Sequence, residues 1–137
     1  MNRLRAITLW RPWSWCILYS GKTHENRTWP LPRHLLGEWV ALHAGKRYDA
    51  VAWQGLLDLN LCIPPTNAEC PTGIVGLVWF DRNDLRSDSR WFGGPVGWHV
   101  AEALPLQSPI EINGAQGLWF VPDDARAEIA RQIGFEV

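Results

Sequence analysis

The residues whose types and spacing can do chemistry are Lys22, Glu25 and Arg27, in the run Gly21-Lys22-Thr23-His24-Glu25-Asn26-Arg27. A carboxylate and a guanidinium two positions apart share one face of a strand and form a charge-assisted pair. Lys22 joins them from a glycine-hinged turn. Two chemistries fit. A lysine in a partly desolvated pocket gives up its proton more readily and can act as a base, with Glu25 orienting it or activating water. This makes Lys22 and Glu25 the candidate catalytic residues. Alternatively, Arg27 occupies Glu25 and keeps it ionised, so that Lys22 is left to contact phosphate. A purely structural ion pair explains Glu25 and Arg27 equally well.

Other residues suit binding. Arg11, Lys46 and Arg47 are cations for phosphates, and Trp13, Trp29 and Trp98 offer flat faces on which a base can stack. His43 opens the run His43-Ala44-Gly45-Lys46-Arg47, a second wall for the same cleft. Trp10, Trp15 and Tyr19 read as packing residues. The four histidines lack i,i+4 spacing and cysteine neighbours, so neither a metal nor a cofactor is expected. The chain contains no Walker loop, GxGxxG, HExxH or GxSxG motif.

These residues need elements to position them. Leu4–Leu9 alternates as a first strand. Pro12 suits the start of a helix and Gly21 its end, which predicts a helix over 12–20. Lys22–Trp29 reads as a strand, Gly37–Ala44 as another, and Gly45-Lys46-Arg47 as a tight turn. On the strand over 37–44, Trp39, Ala41 and His43 face one way and Val40, Leu42 and Ala44 the other. A helix over 48–59 follows, with Val51, Ala52, Leu56 and Leu59 as its apolar stripe, and a loop begins at Ile63-Pro64-Pro65. Gly73–Phe80 is almost wholly apolar, which predicts a strand covered on both faces. A charged connection over 81–90 and a glycine-rich, mobile segment over 91–97 lead into strands over 97–106 and 118–121. A closing helix over about 122–133 buries Ala125, Ile129 and Ile133, with Asp123 and Asp124 favourably placed in its first turn.

About six strands and three helices, mostly without crossover helices between the strands, predict an α+β domain. It would be a small, mostly antiparallel β-barrel with flanking helices, formed by residues 1–137 as one unit. The length supports a full core. Ten tryptophans in 137 residues must mostly be core, because each hides a large apolar area. Three cysteines (Cys16, Cys62, Cys70) without CxxC spacing disfavour a disulfide framework and fit a reducing, cytoplasmic setting, with Cys16 and Cys62 as small buried hydrophobes. No signal peptide and no apolar run long enough to span a membrane is present, so no membrane partner is expected. Residues 1–50 carry a charge of +5 and residues 51–137 one of −6. That asymmetry predicts a local basic groove for an anionic partner and excludes a general polyanion binder.

Taken together, the motifs resemble a known family. The order G-K-x-x-E-x-R after a P-W-opened helix, then H-A-G-K, G-I-V-G-L-V, G-W-H-V and G-A-Q-G-L-W resembles the ASCH domains, relatives of the RNA-binding PUA domains. The likeness runs from about Ala6 to Val121. It implies a PUA-like β-barrel with a cleft beside the first helix, lined by Lys22, Glu25 and Arg27, with Trp13 and Lys46 near its mouth. Two positions depart from the family pattern. Arg11 stands where glutamine is usual. Glu25 stands where the members that hydrolyse an acetylated cytidine carry a threonine nucleophile.

The resulting expectation is a binding module for a nucleoside, a nucleotide or single-stranded nucleic acid. A metal-independent hydrolase acting on a modified pyrimidine nucleoside or on RNA is the first alternative. The second is a protein-interaction module using the apolar loop over 91–97.

Overall fold

The structure, a computed structural model, describes residues 3–61, 66 and 69–137. Cys62 and the start of the loop at Ile63 lie outside the described residues. The elements follow in the order β1 (Arg5–Arg11), α1 (Trp13–Tyr19), β2 (His24–Arg27), a 3-10 turn (Arg33–Leu35), β3 (Glu38–Tyr48), α2 (Ala50–Asp58), β4 (Gly73–Asp84), β5 (Val96–Ile110), β6 (Leu118–Phe120) and α3 (Asp123–Ile133).

The expected α+β class holds. Six strands form one mixed sheet in the order β2-β5-β4-β3-β1-β6. Only β1 and β3 run parallel; every other neighbouring pair is antiparallel. The hydrogen-bonded ladder does not close into a barrel, because β2 and β6 stand at its two edges. Register shifts occur between Leu9 and Arg11, between Leu42 and His43, and at three places along β4. Each such bulge bends its strand and increases local twist.

Two apolar cores lie against opposite faces of the sheet, as the alternation of β3 and the apolar run of β4 require. Val40, Leu42, Val78, Phe80 and Trp98 pack on one face with Ile17 of α1. Ala41, Ile74 and Leu77 pack on the other with Ala125 and Ile129 of α3, where Ile133 also docks. Helix α1 sits so close to the sheet that a Cβ on Gly76 would lie 2.7 Å from Leu18 Cδ2 and 2.8 Å from the Leu104 carbonyl oxygen. Helix α3 keeps Asp123 and Asp124 in its first turn and stops at Gly134 in the left-handed conformation.

Several boundaries differ from those read in the sequence. The strand expected over 22–29 is hydrogen-bonded only over His24–Arg27. Gly45, Lys46 and Arg47 remain in β3, because Arg11 pairs with Tyr48 after the bulge. The charged run after Phe80 extends β4, with Arg82, Asn83 and Asp84 opposite His99, Trp98 and Gly97. In α2 only Leu56 of the expected stripe is buried, while Val51 and Leu59 face outward. Trp10 and Tyr19, read as packing residues, are each 48% exposed. Among the described residues, no helix is long and apolar enough to cross a membrane.

Candidate functional site

The first part of the site begins where α1 ends. The amides of Ser20 and Lys22 both donate to the Cys16 carbonyl, and Gly21 takes a φ of +70° that a side chain would resist. This reversal returns Lys22 beneath the helix, where it is only 4% exposed. Its Nζ donates to the His24 carbonyl and to Glu25 Oε1 at 3.3 Å, and lies 5.2 Å from the Trp13 ring centre. Glu25 Oε2 accepts from Arg27 Nε at 2.9 Å. The expected association of Lys22, Glu25 and Arg27 is therefore present. Both carboxylate oxygens are taken, and the three groups together carry one net positive charge. A cavity of about 200 Å³ opens on Trp13, Lys22, Glu25 and Asn26. A neighbouring one of about 320 Å³ is walled by Trp13, Lys22, Asn26, Leu56, Trp91 and Phe92.

Asn26 holds that wall in place. Its Nδ2 donates to the Trp91 carbonyl at 2.9 Å, and its Oδ1 accepts from the amides of Gly93 and Gly94 at 2.9 and 3.2 Å. Phe92 packs against Gly97 and His24, leaving no room for a Cβ at Gly97. The segment read as mobile is thus tied down on the strand that carries Glu25. Beneath it runs a polar line. Ser89 Oγ meets Thr23 Oγ1 at 2.5 Å, Thr23 Oγ1 meets His24 Nδ1 at 2.9 Å, and His24 Nε2 meets Asp84 Oδ2 at 2.8 Å. The His24 hydrogen bond, aided by Arg82, holds the Asp84 carboxyl below the ordinary carboxylate range.

The second part is a groove of about 740 Å³ at the ends of β1 and β3, floored by Thr8 and His43 and bounded by Trp10, Lys46, Arg47 and the turn over 111–116. His43 is fully engaged: Nε2 donates to the Ile112 carbonyl at 2.7 Å, and Nδ1 meets Thr8 Oγ1 at 3.1 Å. Trp119 Nε1 donates to the same hydroxyl at 3.0 Å. The turn presses onto this group so closely that a Cβ on Gly114 would lie 2.4 Å from Thr8 Oγ1. At the rim the Arg47 guanidinium lies 5.6 Å from the Trp10 ring centre. Lys46 and Arg47 are exposed and form no ion pair among the described residues.

Residues expected in one cleft are therefore divided between two. Lys22, Glu25 and Trp13 line the pocket; His43, Lys46 and Arg47 line the groove. Thr8 joins the two, because Arg27 Nη2 reaches its carbonyl at 3.4 Å while its hydroxyl binds His43. Arg11 lines neither. Its guanidinium donates to the carbonyls of Gly45 (3.1 Å), Lys46 (2.5 Å) and Cys70 (3.2 Å), so it clamps the end of β3 and offers no free edge to a phosphate. Trp98 is 0% exposed and cannot stack a ligand; its Nε1 donates to the Trp29 carbonyl at 3.1 Å. Trp29 packs edge-on against it, with ring centres 4.9 Å apart.

Sequence reading missed Trp10, Thr8 and Asn26. The alternation of β1 carried a signal for the first two, since Thr8 and Trp10 share the face opposite Leu9 and Arg11. Nothing in the sequence marked Asn26. Among the described residues, no group of three or more His, Cys, Asp or Glu side chains is placed to hold a metal. No protein-family model matches the chain, and no curated protein matches it.

Proposed function

We propose that this chain is a single-stranded nucleic-acid-binding domain of the ASCH type, built on a curled, PUA-like sheet. The observation that carries the reading is the exposed Trp10 ring beside Lys46 and Arg47, which form no ion pair among the described residues, in the groove of about 740 Å³. A ring face suits a base of any identity, and the cations suit the flanking phosphates. The pocket at Trp13 and Lys22 takes one unstacked nucleotide, whose phosphate is drawn by the net positive charge of the Lys22–Glu25–Arg27 group. Binding is favoured over hydrolysis because Lys22 Nζ is directed at the His24 carbonyl and Glu25, and each Glu25 oxygen already accepts from a cation.

The test is fluorescence anisotropy with labelled single-stranded RNA and DNA oligonucleotides over a range of salt. Trp10→Ala should weaken binding about five- to 150-fold, as loss of one stacked base implies. Arg47→Ala should lower the slope of log affinity against log salt by about 0.7. Absence of binding to either oligonucleotide at low salt would sink the proposal. Binding of the wild type that Trp10→Ala and Arg47→Ala leave unchanged would remove the groove from it.

A further inference from the structure

Asn113 is the chain's only asparagine followed by glycine. It lies exposed in the turn over 111–116, outside any strand or helix, and lines the groove of about 740 Å³ together with Gly114. Among the described residues, neither its side chain nor the Gly114 amide has a hydrogen-bond partner. The other described asparagines are committed. Asn83 accepts from the Leu31 amide and donates to the Leu31 carbonyl, and Asn26 is bonded to Trp91, Gly93 and Gly94. Asn60 is followed by Leu61, whose amide donates to the Leu56 carbonyl.

We propose that Asn113 is a site of spontaneous deamidation, and that the reaction disables the groove irreversibly. A backbone amide that donates to nothing is free to attack the side-chain carbonyl of the residue before it. The Gly114 nitrogen forms a bond to Asn113 Cγ, the bond from Cγ to Nδ2 breaks, and ammonia leaves with the Gly114 amide proton. Glycine has no side chain to hinder closure of this ring. Water then opens the cyclic imide at one of its two carbonyls. Opening at Cγ leaves aspartate. Opening at the main-chain carbonyl leaves isoaspartate, in which the chain continues through Cγ. Either product places a carboxylate in a groove edged by Lys46 and Arg47, and a new charge acts there as any charge-changing modification does. Isoaspartate also adds one carbon to the main chain next to Gly114, where a Cβ would already lie 2.4 Å from Thr8 Oγ1 and 2.7 Å from His43 Cε1. The longer chain cannot keep the turn seated on that floor. The chemistry is independent of any ligand; only its effect on nucleic acid rests on the function proposed above.

The experiment incubates the folded, full-length chain at mildly alkaline pH and follows it by peptide mass spectrometry, with electron-transfer fragmentation to separate aspartate from isoaspartate. The expected result is the mass gain of amide-to-acid exchange at Asn113, with isoaspartate among the products. Asn113→Gln, whose longer side chain must close a larger ring, should show no such gain. No gain at Asn113 in the folded protein overturns the proposal, and a gain confined to a urea-unfolded sample overturns it too, because the turn then shields the site. Equal gain at Asn26, Asn60 or Asn83 also overturns it. The isoaspartyl fraction, separated by ion exchange, should melt several degrees below the unmodified protein; equal melting would mean that the turn stays seated. Asn113→Asp carries the charge without the extra carbon and should bind a single-stranded oligonucleotide about fivefold more weakly at low salt. Unchanged affinity overturns the effect of the charge on the groove. A wild type that binds no oligonucleotide removes the proposed function and leaves the modification standing on its mass spectrum.

Discussion

Lys22, Glu25 and Arg27 show how three ordinary side chains make a site by sharing one buried location. Lys22 and Glu25 are almost fully enclosed, so each is held by its partner and not by water. Removing one member of a buried pair leaves a bare charge, and that typically costs about 3–5 kcal/mol. Glu25→Ala should therefore destabilise the fold by about that amount in a denaturant titration, because it strands two cations at once. Arg27→Ala should cost less, since its guanidinium is partly exposed and Lys22 stays paired to Glu25. Asp84 supplies a pH dependence. Its folded pKa is depressed, chiefly by the hydrogen bond from His24. The unfolded chain therefore takes up its proton first as pH falls. The stabilisation from Asp84 is complete above the unfolded value of about 3.9 and is lost as pH drops through the lower folded value. Thermal melts of Asp84→Asn should show a flatter loss of stability below about pH 5 than the wild type. An unchanged acid limb would remove Asp84 from the account.

At the scale of elements, two loops form walls because small residues let them approach. The turn over 111–116 lies on Thr8 and His43 with no space at Gly114 for a methyl group. Gly114→Ala forces that turn away from the groove floor. Overpacking of this kind costs about 1–3 kcal/mol. The variant should melt earlier and bind oligonucleotides more weakly. The segment over 91–97 is held differently, by three hydrogen bonds to the one side chain of Asn26. Asn26→Ala should speed hydrogen exchange at the Gly93 and Gly94 amides while leaving the centre of β4 protected. Equal exchange in both proteins would mean that Phe92 packing alone holds the segment. The same polar and aromatic ties argue against reading this loop as a free apolar patch for a protein partner.

For the molecule as a whole, β3 and β4 supply side chains to both cores, so neither face can lose its helix without disturbing the other. Unfolding followed by far-UV circular dichroism and by tryptophan fluorescence should give coincident transitions. Separate midpoints would show that the α3 side and the α1 side unfold as independent units. The charge asymmetry along the chain also takes on a shape. Lys46 and Arg47 of the basic half reach the groove at the ends of β1 and β3, while Arg11 and Lys22 from the same half turn inward to carbonyls and a carboxylate. A count of charges could not separate these two fates.

Much of this was legible in the chain itself. Periodicity, with proline and glycine as punctuation, located the six strands and three α-helices of the described residues, because a period of two or of 3.6 is imposed by local backbone geometry. The Lys22–Glu25–Arg27 group was legible for the same reason, since its members lie within six positions of one another. Boundaries set by partners were not: β4 runs on to Asp84 only because β5 pairs with it. The fate of the tryptophans was equally hidden. Trp98 is sealed in the core by Phe80 and Trp29, whereas Trp10 lies open beside Arg47. Both sit in strands, and burial is decided by segments distant in the chain. The sequence by itself determined which elements form and the charged cluster of Lys22 with Glu25 and Arg27 of β2. Only the tertiary structure decided that the expected cleft is two, with Thr8 between them, because bulges and long-range pairing, which no local pattern encodes, set where β1, β2 and β3 meet.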